Sequence, residues 1–160
     1  DIAINNLAIE QKQTQAQLEL ANKKFREKKG KLQWPIKRSA KNTILANFAG
    51  QNKIYKFPIK NDGIEIRCAD GQEVYAVESG VVLFSDWIDA YGWTIIISHH
   101  GGFITLYAHL KERLVKQDDK VSAGTLIGRA GDTGSLFGVS LFFQIRENKK
   151  AVDPEIWLKK

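Results

Sequence analysis

Short β-prone runs separated by Gly, Asp and Asn fill most of the chain and restrict it to a sheet-based fold. The run Thr94–Ile97 is apolar without alternation, which is typical of a strand covered on both faces. Ile64 and Ile66 instead alternate with Glu65, as on a half-buried strand. With almost no internal helical pattern, the sequence predicts an all-β, mainly antiparallel β-sheet domain over residues 34–160. The candidate strands are Lys53–Phe57, Gly63–Cys68, Glu73–Val77, Gly80–Ser85, Trp93–Ser98, Phe103–His109, Thr125–Ala130 and Ser140–Arg146.

Residues 1–33 differ, because they carry a heptad pattern and no strand signal. One seam position holds Ile4, Gln11, Leu18, Phe25 and Leu32, and the other holds Leu7, Thr14, Ala21 and Lys28. About half of this seam is polar. We therefore predict an N-terminal coiled-coil-type helix and interpret it as the end of a longer coiled coil. A helix that packs on the following domain or on a partner is the alternative. Gly30 and Trp34-Pro35 end the helix in either case.

The charge balance argues against a nucleic-acid partner. The chain has 24 Lys and Arg against 18 Asp and Glu, which gives a net charge of +6. Seven basic and four acidic residues fall within 1–33, and seventeen and fourteen fall within 34–160, so the excess is spread over both parts. The modest positive charge is as compatible with an acidic protein partner or an anionic cell-wall polymer as it is with nucleic acid. Cys68 is the single cysteine, so an intrachain disulfide is excluded, and no apolar run approaches the roughly 18 residues of a membrane span.

Several short motifs follow one another in a specific order. They are Gly71–Val82, Tyr91-Gly92, Tyr107–Leu110, Val121–Gly134, Phe143–Arg146 and Val152-Asp153-Pro154. This order, from about Trp34 to Leu158, resembles the LytM (lysostaphin-type) zinc peptidase family. The resemblance implies a LytM-like β-sheet domain with an active-site groove. The glycine spacing within Val121–Gly134 predicts a hairpin and glycine turns beside that groove. We expect Trp157-Leu158 to cap the core from a short terminal turn or helix.

The five functional positions of that family carry over to five residues of this chain. They are Asn61, Glu65, His109, Ser140 and Phe142. Members of the family have histidine and aspartate in the first pair, and histidine at the other three. Only His109 keeps the family's residue, and Phe142 has no lone pair to offer a metal. The resemblance therefore implies a pseudo-peptidase without zinc, without another cofactor and without catalytic residues, and we expect His99 and His100 to lie outside the site.

The combination of a heptad helix with a degenerate site is similar to one branch of the family, the EnvC-type murein hydrolase activators, with the NlpD-type activators second. This likeness implies a periplasmic, non-catalytic protein that binds and activates N-acetylmuramoyl-L-alanine amidases during daughter-cell separation. A membrane division complex, reached through an upstream coil, and peptidoglycan are open as further partners.

The amidase is expected to bind in the former active-site groove. The predicted groove residues are Asn61, Glu65, Tyr91, His109, Phe142 and Arg146. Aromatic and arginine side chains are common interface anchors, although Arg146 is also placed to hold the carboxylate of Asp153. Two rival functions stay open: a peptidoglycan-binding module that uses the same groove, and an active zinc peptidase with altered ligands, which the ligand chemistry disfavours.

Overall fold

The computed structural model describes residues 14–37, 44–48 and 61–160. Helix α1 spans Gln15–Arg26, and helix α2 spans Pro154–Trp157. The strands are β1 Ile44–Ala46, β2 Ile64–Arg67, β3 Glu73–Tyr75, β4 Gly80–Ile88, β5 Gly92–His100, β6 Phe103–Arg113, β7 Lys120–Val121, β8 Leu126–Ala130, β9 Ser140–Glu147 and β10 Lys150–Val152. Neither of the two helices in the described residues could span a lipid bilayer.

All strands of the described residues join one antiparallel sheet. The main path runs β1-β2-β9-β6-β5-β4-β7, while β10 pairs with β9 and β8 pairs with both β3 and β6. The predicted all-β, mainly antiparallel class is therefore confirmed. The predicted strand Lys53–Phe57 lies outside the described residues, and β1, β7 and β10 were not predicted.

Strand β5 lies near the middle of the sheet, with a core cluster on each of its faces. Ile95 and Ile97 belong to the larger cluster, and Ile96 belongs to a smaller one with Leu106 and Phe142. All three isoleucines are fully buried, as the apolar run in the sequence predicts. The smaller cluster matters for function because Phe142 connects it to the groove described below.

Helix α1 packs against the sheet through Phe25, which is 3% exposed. The ring of Phe25 stacks on Phe103 at 4.3 Å and also contacts Trp157 and His99, at 5.4 and 5.0 Å. A capping box between Thr14 and Gln17 begins the helix. These contacts favour docking on the domain for this part of the helix. The coil predicted within residues 1–13 lies outside the described residues and stays a prediction.

The helix ends at Arg26, although the heptad pattern predicts that it continues to residue 33. The reason is a set of contacts with the other end of the chain. Gly30 has a φ of +79°, its N–H donates to the carbonyl of Trp157, and Leu32 forms a parallel bridge with Leu158. Both Trp157 and Leu158 are buried, so the predicted closure of the core by these residues is confirmed.

The predicted hairpin within Val121–Gly134 is not formed. Strand β7 pairs with β4, whereas β8 pairs with β3 and β6, so the two strands belong to different parts of the sheet. The physical reason is that the backbone groups at the open edge of β4 pair with β7, while β8 pairs with β6 and β3 at another edge of the sheet. The glycine-rich loop that follows β8 does lie beside the groove, through Gly134.

Candidate partner-binding groove

Strand pairing brings the family's functional positions together. Glu65 on β2 is the direct cross-strand partner of Phe142 on β9, and Phe142 is in turn opposite Ala108 on β6. His109 follows Ala108, and Ser140 precedes Phe142 on the same face of β9, since side chains alternate along a strand. Three neighbouring strands, β2, β9 and β6, therefore contribute side chains to one site.

A buried polar network holds the bottom of this site. The carboxylate of Glu65 accepts one hydrogen bond from Ser140 Oγ, at 2.9 Å, and faces His109 Nε2 with its other oxygen, also at 2.9 Å. Glu65 is 5% exposed, His109 is 4% exposed and Ser140 is fully buried. Both carboxylate oxygens are thus satisfied inside the protein, as a buried charge requires.

His109 carries a proton on the nitrogen that faces away from Glu65. Its Nδ1 lies 2.8 Å from the carbonyl oxygen of Thr133 and 3.1 Å from that of Tyr91, and both oxygens only accept. Its Nε2 faces the carboxylate, so the imidazole and Glu65 hold a further proton between them. Burial lowers the pKa of His109, but the hydrogen bond and the charge of Glu65 outweigh it and raise the pKa.

The backbone of His109 is in the left-handed region, with a φ of +65°. Such a conformation is costly for a residue with a side chain and persists only where the surroundings impose it. Here the N–H of His109 donates to the carbonyl of Tyr91, and its carbonyl accepts from Gly131. The loops on both sides of the groove therefore fix the position of the imidazole.

Above this network lies a pocket of about 190 Å³ with an aromatic wall. The rings of Tyr91 and Phe142 stack at 5.3 Å with 14° between their planes. Leu136, which is 75% exposed, and Phe137 stand at the opening of the pocket. The lining residues are Asn61, Asp62, Glu65, Ala90, Tyr91, His109, Gly134, Leu136, Phe137 and Phe142. We call this pocket the groove.

Five of the six predicted groove residues line it, and Arg146 does not. Arg146 is 4% exposed and donates through Nε to Gln144 Oε1 at 2.9 Å. Its Nη2 lies 3.9 Å from Asp62 Oδ2, which makes Asp62 the link between Arg146 and the groove. The carboxylate of Asp153, proposed above as its partner, accepts from the N–H of Glu155 at the start of α2.

The side chains at the family's zinc positions do not fit a zinc ion. Asn61 donates its amide to the carbonyl of Asn47, both oxygens of Glu65 are engaged, and Phe142 has no donor atom. Within residues 14–37, 44–48 and 61–160, no group of three His, Cys, Asp or Glu side chains is placed to bind a metal.

Ser140 also lacks the arrangement of a nucleophile. Its hydroxyl donates to a carboxylate rather than to an imidazole, and it is fully buried. The polar network therefore has the form of a structural support beneath a binding surface.

Sequence reasoning missed the residues at the opening of the groove. Asp62 is next to Asn61 and had no motif of its own, while Leu136 and Phe137 lie in a loop without periodicity. The available signal was a pair of large apolar residues between Gly134 and Gly138, where a turn would otherwise be polar.

Comparison with known proteins agrees with this architecture. The protein named Murein hydrolase activator EnvC from Escherichia coli is 29% identical over 81% of this chain and 29% of its own length. A lipoprotein NlpD/LppB homolog from Pseudomonas aeruginosa is 33% identical over 76% of this chain and 37% of its own length. The crystal structure of a zinc-containing peptidase from Vibrio cholerae matches with a TM-score of 0.69 and 26% identity, over 78% of this chain and 39% of that one.

The chain thus spans about a third of the length of the curated relatives that it matches. The sequence profile described as Peptidase family M23 matches residues 59–154. This range contains β2 to β10 and every residue that lines the groove. The chain belongs to peptidase family M23.

Proposed function

We propose that this chain is a non-catalytic activator of N-acetylmuramoyl-L-alanine amidases in the bacterial cell envelope. In this proposal the amidase binds in the groove, and its activation promotes septal peptidoglycan hydrolysis and daughter-cell separation. The supporting observation is the bonding of Glu65, whose two oxygens are satisfied by His109 and Ser140 at a position where the family holds zinc. The relative from E. coli carries the name of a murein hydrolase activator.

The opening of the groove has the chemistry of a protein interface. Leu136 is 75% exposed, and the stacked pair of Tyr91 and Phe142 forms an apolar wall behind it. Covering a leucine side chain on binding contributes about 1.5–3 kcal/mol. Aromatic residues are enriched among the side chains that dominate binding energy. A polypeptide segment with an apolar side chain at its centre suits this pocket.

We describe the amidase as an equilibrium between a closed state, in which its active site is blocked, and an open state. Activation requires only that the groove bind the open state better than the closed state. A binding partner shifts a two-state equilibrium by as much as its affinities for the two states differ. A tenfold increase in the open fraction requires a difference of about 1.4 kcal/mol, which a single buried side chain can supply.

The experiment mixes the protein, purified amidases and sacculi, and records the soluble fragments released. Fragments are expected only when the amidase and this chain are both present. Leu136→Asp should reduce the release at least about tenfold, because a carboxylate replaces the exposed apolar anchor. Ile156→Asp is the matched control, since Ile156 is 55% exposed but lies on α2, away from the groove. Equal activation by Leu136→Asp and the wild type would refute the groove assignment.

Phe142→Ala tests the aromatic wall of the groove. Because Phe142 is only 6% exposed, circular dichroism must first show that the variant is folded. Arg146→Glu is a poor probe of binding, since the buried guanidinium would be replaced by a buried carboxylate and the fold would be weakened. The isolated chain should release no fragments from sacculi with or without added zinc. Fragment release that depends on zinc would contradict the non-catalytic proposal.

A further inference from the structure

An exposed indole stands on the face of the sheet opposite the groove. Trp87 on β4 is 45% exposed, which is more than any of the other three tryptophans. It pairs across the strands with Trp93, which packs against the larger core cluster. Tyr91 and Ile88, by contrast, pack against the smaller cluster on the groove side. The Trp87 surface and the groove therefore share one hairpin but face in different directions.

The orientation of this indole is fixed by the folded chain. The ring of Trp87 meets the ring of Trp93 edge-on, at 5.2 Å and 85°. Its Nε1–H donates to Asp89 Oδ1 at 3.0 Å, and its backbone N–H donates to Asp86 Oδ1 at 2.7 Å. A flat group held in this way loses little conformational entropy when a ligand covers its exposed side.

A second flat group extends the surface toward β6. The guanidinium of Arg113 lies 4.4 Å from the centre of the Trp93 ring and donates to the carbonyl of Ser85 at 2.7 Å. Trp87, Trp93 and Arg113 thus form a continuous row, which we call the indole platform. Trp93 is partly buried within this row, so Trp87 supplies most of the accessible aromatic surface.

The flanking charges restrict the class of ligand. Asp86 and Asp89 are both exposed and lie on either side of Trp87 in the sequence, each with one oxygen engaged by that residue. Two carboxylates disfavour an anionic ligand, and they accept hydrogen bonds from hydroxyl groups. The opposite side of the row carries the donor Arg113.

A pyranose ring has the complementary chemistry. Its axial C–H groups form a flat apolar face that stacks on an indole, and its equatorial hydroxyl groups donate and accept hydrogen bonds around the edge. We propose that the indole platform binds a neutral pyranose ring of a β-linked glycan strand, with Trp87 as the stacking residue. The site is independent of the groove and of amidase activation.

The platform would give the protein a contact with glycan while the groove holds a protein. Ala90 and Tyr91, at the turn of the same hairpin, line the groove. A glycan bound at Trp87 is then held within a few residues of a partner bound at the groove. Such double contact raises the effective concentration of one ligand near the other.

The experiment titrates the protein with an N-acetylglucosamine tetramer and follows intrinsic tryptophan fluorescence and its quenching by acrylamide. Binding should shift the emission to shorter wavelength and protect Trp87 from the quencher. Trp87→Ala should weaken binding at least about tenfold, and Trp87→Tyr should retain part of it, because a flat ring remains. Ile156→Ala, at another exposed apolar position, is the matched control and should bind as the wild type does.

Leu136→Asp separates this inference from the proposed function, because it should lose amidase activation and keep glycan binding. No fluorescence response of the wild type at millimolar tetramer would overturn the inference. Full binding by a folded Trp87→Ala variant would overturn it too. If Trp87→Ala instead lost amidase activation while tetramer binding was absent, the platform would be a protein interface and not a glycan site.

Discussion

Two buried histidines lie at opposite ends of the β5–β6 pair, and different chemical groups surround them. His99 is near the end of β5, beneath helix α1, and His109 is near the far end of β6, beneath the groove. The Phe25 ring covers His99, whereas a carboxylate, Glu65, faces His109. One sheet therefore buries a histidine under an aromatic ring at one end and against a carboxylate at the other.

The neighbours of His99 leave it neutral. Its Nδ1 donates to the carbonyl of Ser79 at 2.8 Å, and its Nε2 lies 2.8 Å from Thr105 Oγ1, which is itself 3.0 Å from Tyr107 Oη. Burial lowers the pKa of His99 to about 4, although the carbonyl of Ser79 acts in the other direction. The pKa of His109 is shifted upward, because Glu65 compensates for its burial.

The comparison shows where this fold can accommodate a buried charge. At the helix end, the carbonyl of Ser79 and the charge of Glu78 favour an imidazolium, but they do not offset the burial of His99. At the groove end, the carboxylate and two carbonyl groups offset the burial of His109. The binding surface is therefore supported by a proton and a carboxylate. Helix α1 is held by the packing of Phe25, together with an ion pair between Arg26 and Glu147 and a hydrogen bond from Asn22 to the carbonyl of Gly101.

The largest expected effect comes from removing the apolar cover of His99. Phe25→Ala should lower the free energy of unfolding by about 3–5 kcal/mol, because a ring that contacts three aromatic groups is replaced by a cavity. Urea unfolding at neutral pH measures this loss. Leu20→Ala, on the same helix but 54% exposed, is the control and should change the free energy by about 0.5 kcal/mol or less.

If Phe25→Ala were as stable as Leu20→Ala, helix α1 would not be docked in solution. The contrast between a packed end and an ionic end would then fail. A loss that appeared in both variants would instead indicate a general sensitivity of the helix.

Acidification should weaken the His99 end next. The folded pKa of His99 is about 4 against an ordinary value of 6.5, so the unfolded chain binds the additional proton between these values. Stability is therefore unaffected by His99 above about pH 6.5 and falls by about 3 kcal/mol as the pH decreases to about 4. The measurement compares unfolding of the wild type and His99→Gln across this range. Parallel pH profiles of the two proteins would contradict the assignment of a neutral buried imidazole.

At the His109 end, the contribution to stability should decrease as the pH rises, which is the opposite of the pH dependence at His99. Its folded pKa is raised, so the pairing with Glu65 contributes fully below about pH 6.5 and is lost as the pH rises through that raised pKa. Glu65→Gln should cost about 2 kcal/mol at pH 6, and the difference from the wild type should shrink at alkaline pH. Unfolding at both pH values measures it, with Glu73→Gln at an exposed strand position as the control. A difference that grew with pH would refute the charged pair.

Sequence reasoning succeeded where neighbouring residues carry the signal. The alternation of Ile64, Glu65 and Ile66 predicts strand β2, but the half-buried character that it indicates is wrong, because Glu65 is only 5% exposed. The apolar run Thr94–Ile97 predicts the central strand β5 and its burial on both faces. The order of the motifs predicts that Glu65, His109, Ser140 and Phe142 share one site. The strand register brings these four residues together.

It failed where distant residues decide the outcome. The end of α1 depends on Trp157 and Leu158, more than a hundred residues away, and the pairing of β7 depends on which sheet edge is open. Arg146 is buried beside the groove and reaches it through Asp62, and its bonds to Gln144 and to the carbonyl of Lys149 fix it there. The proton on Nδ1 of His109 is fixed by the backbone carbonyls of Tyr91 and Thr133, and no pattern in the side chains reports these.

The smallest expected effect tests whether an ionic contact also helps to hold the helix end. Lys28 Nζ lies 2.8 Å from Glu78 Oε1, but the lysine side chain is 48% exposed, so water and salt screen the attraction. Lys28→Gln should therefore cost about 0.5 kcal/mol or less, and this cost should vanish in about 0.5 M salt. Urea unfolding of the wild type and the variant at low and high salt measures both quantities. A loss near that of Phe25→Ala would mean that charge contributes as much as packing at the helix end, and the contrast between the two ends of the sheet would then be refuted.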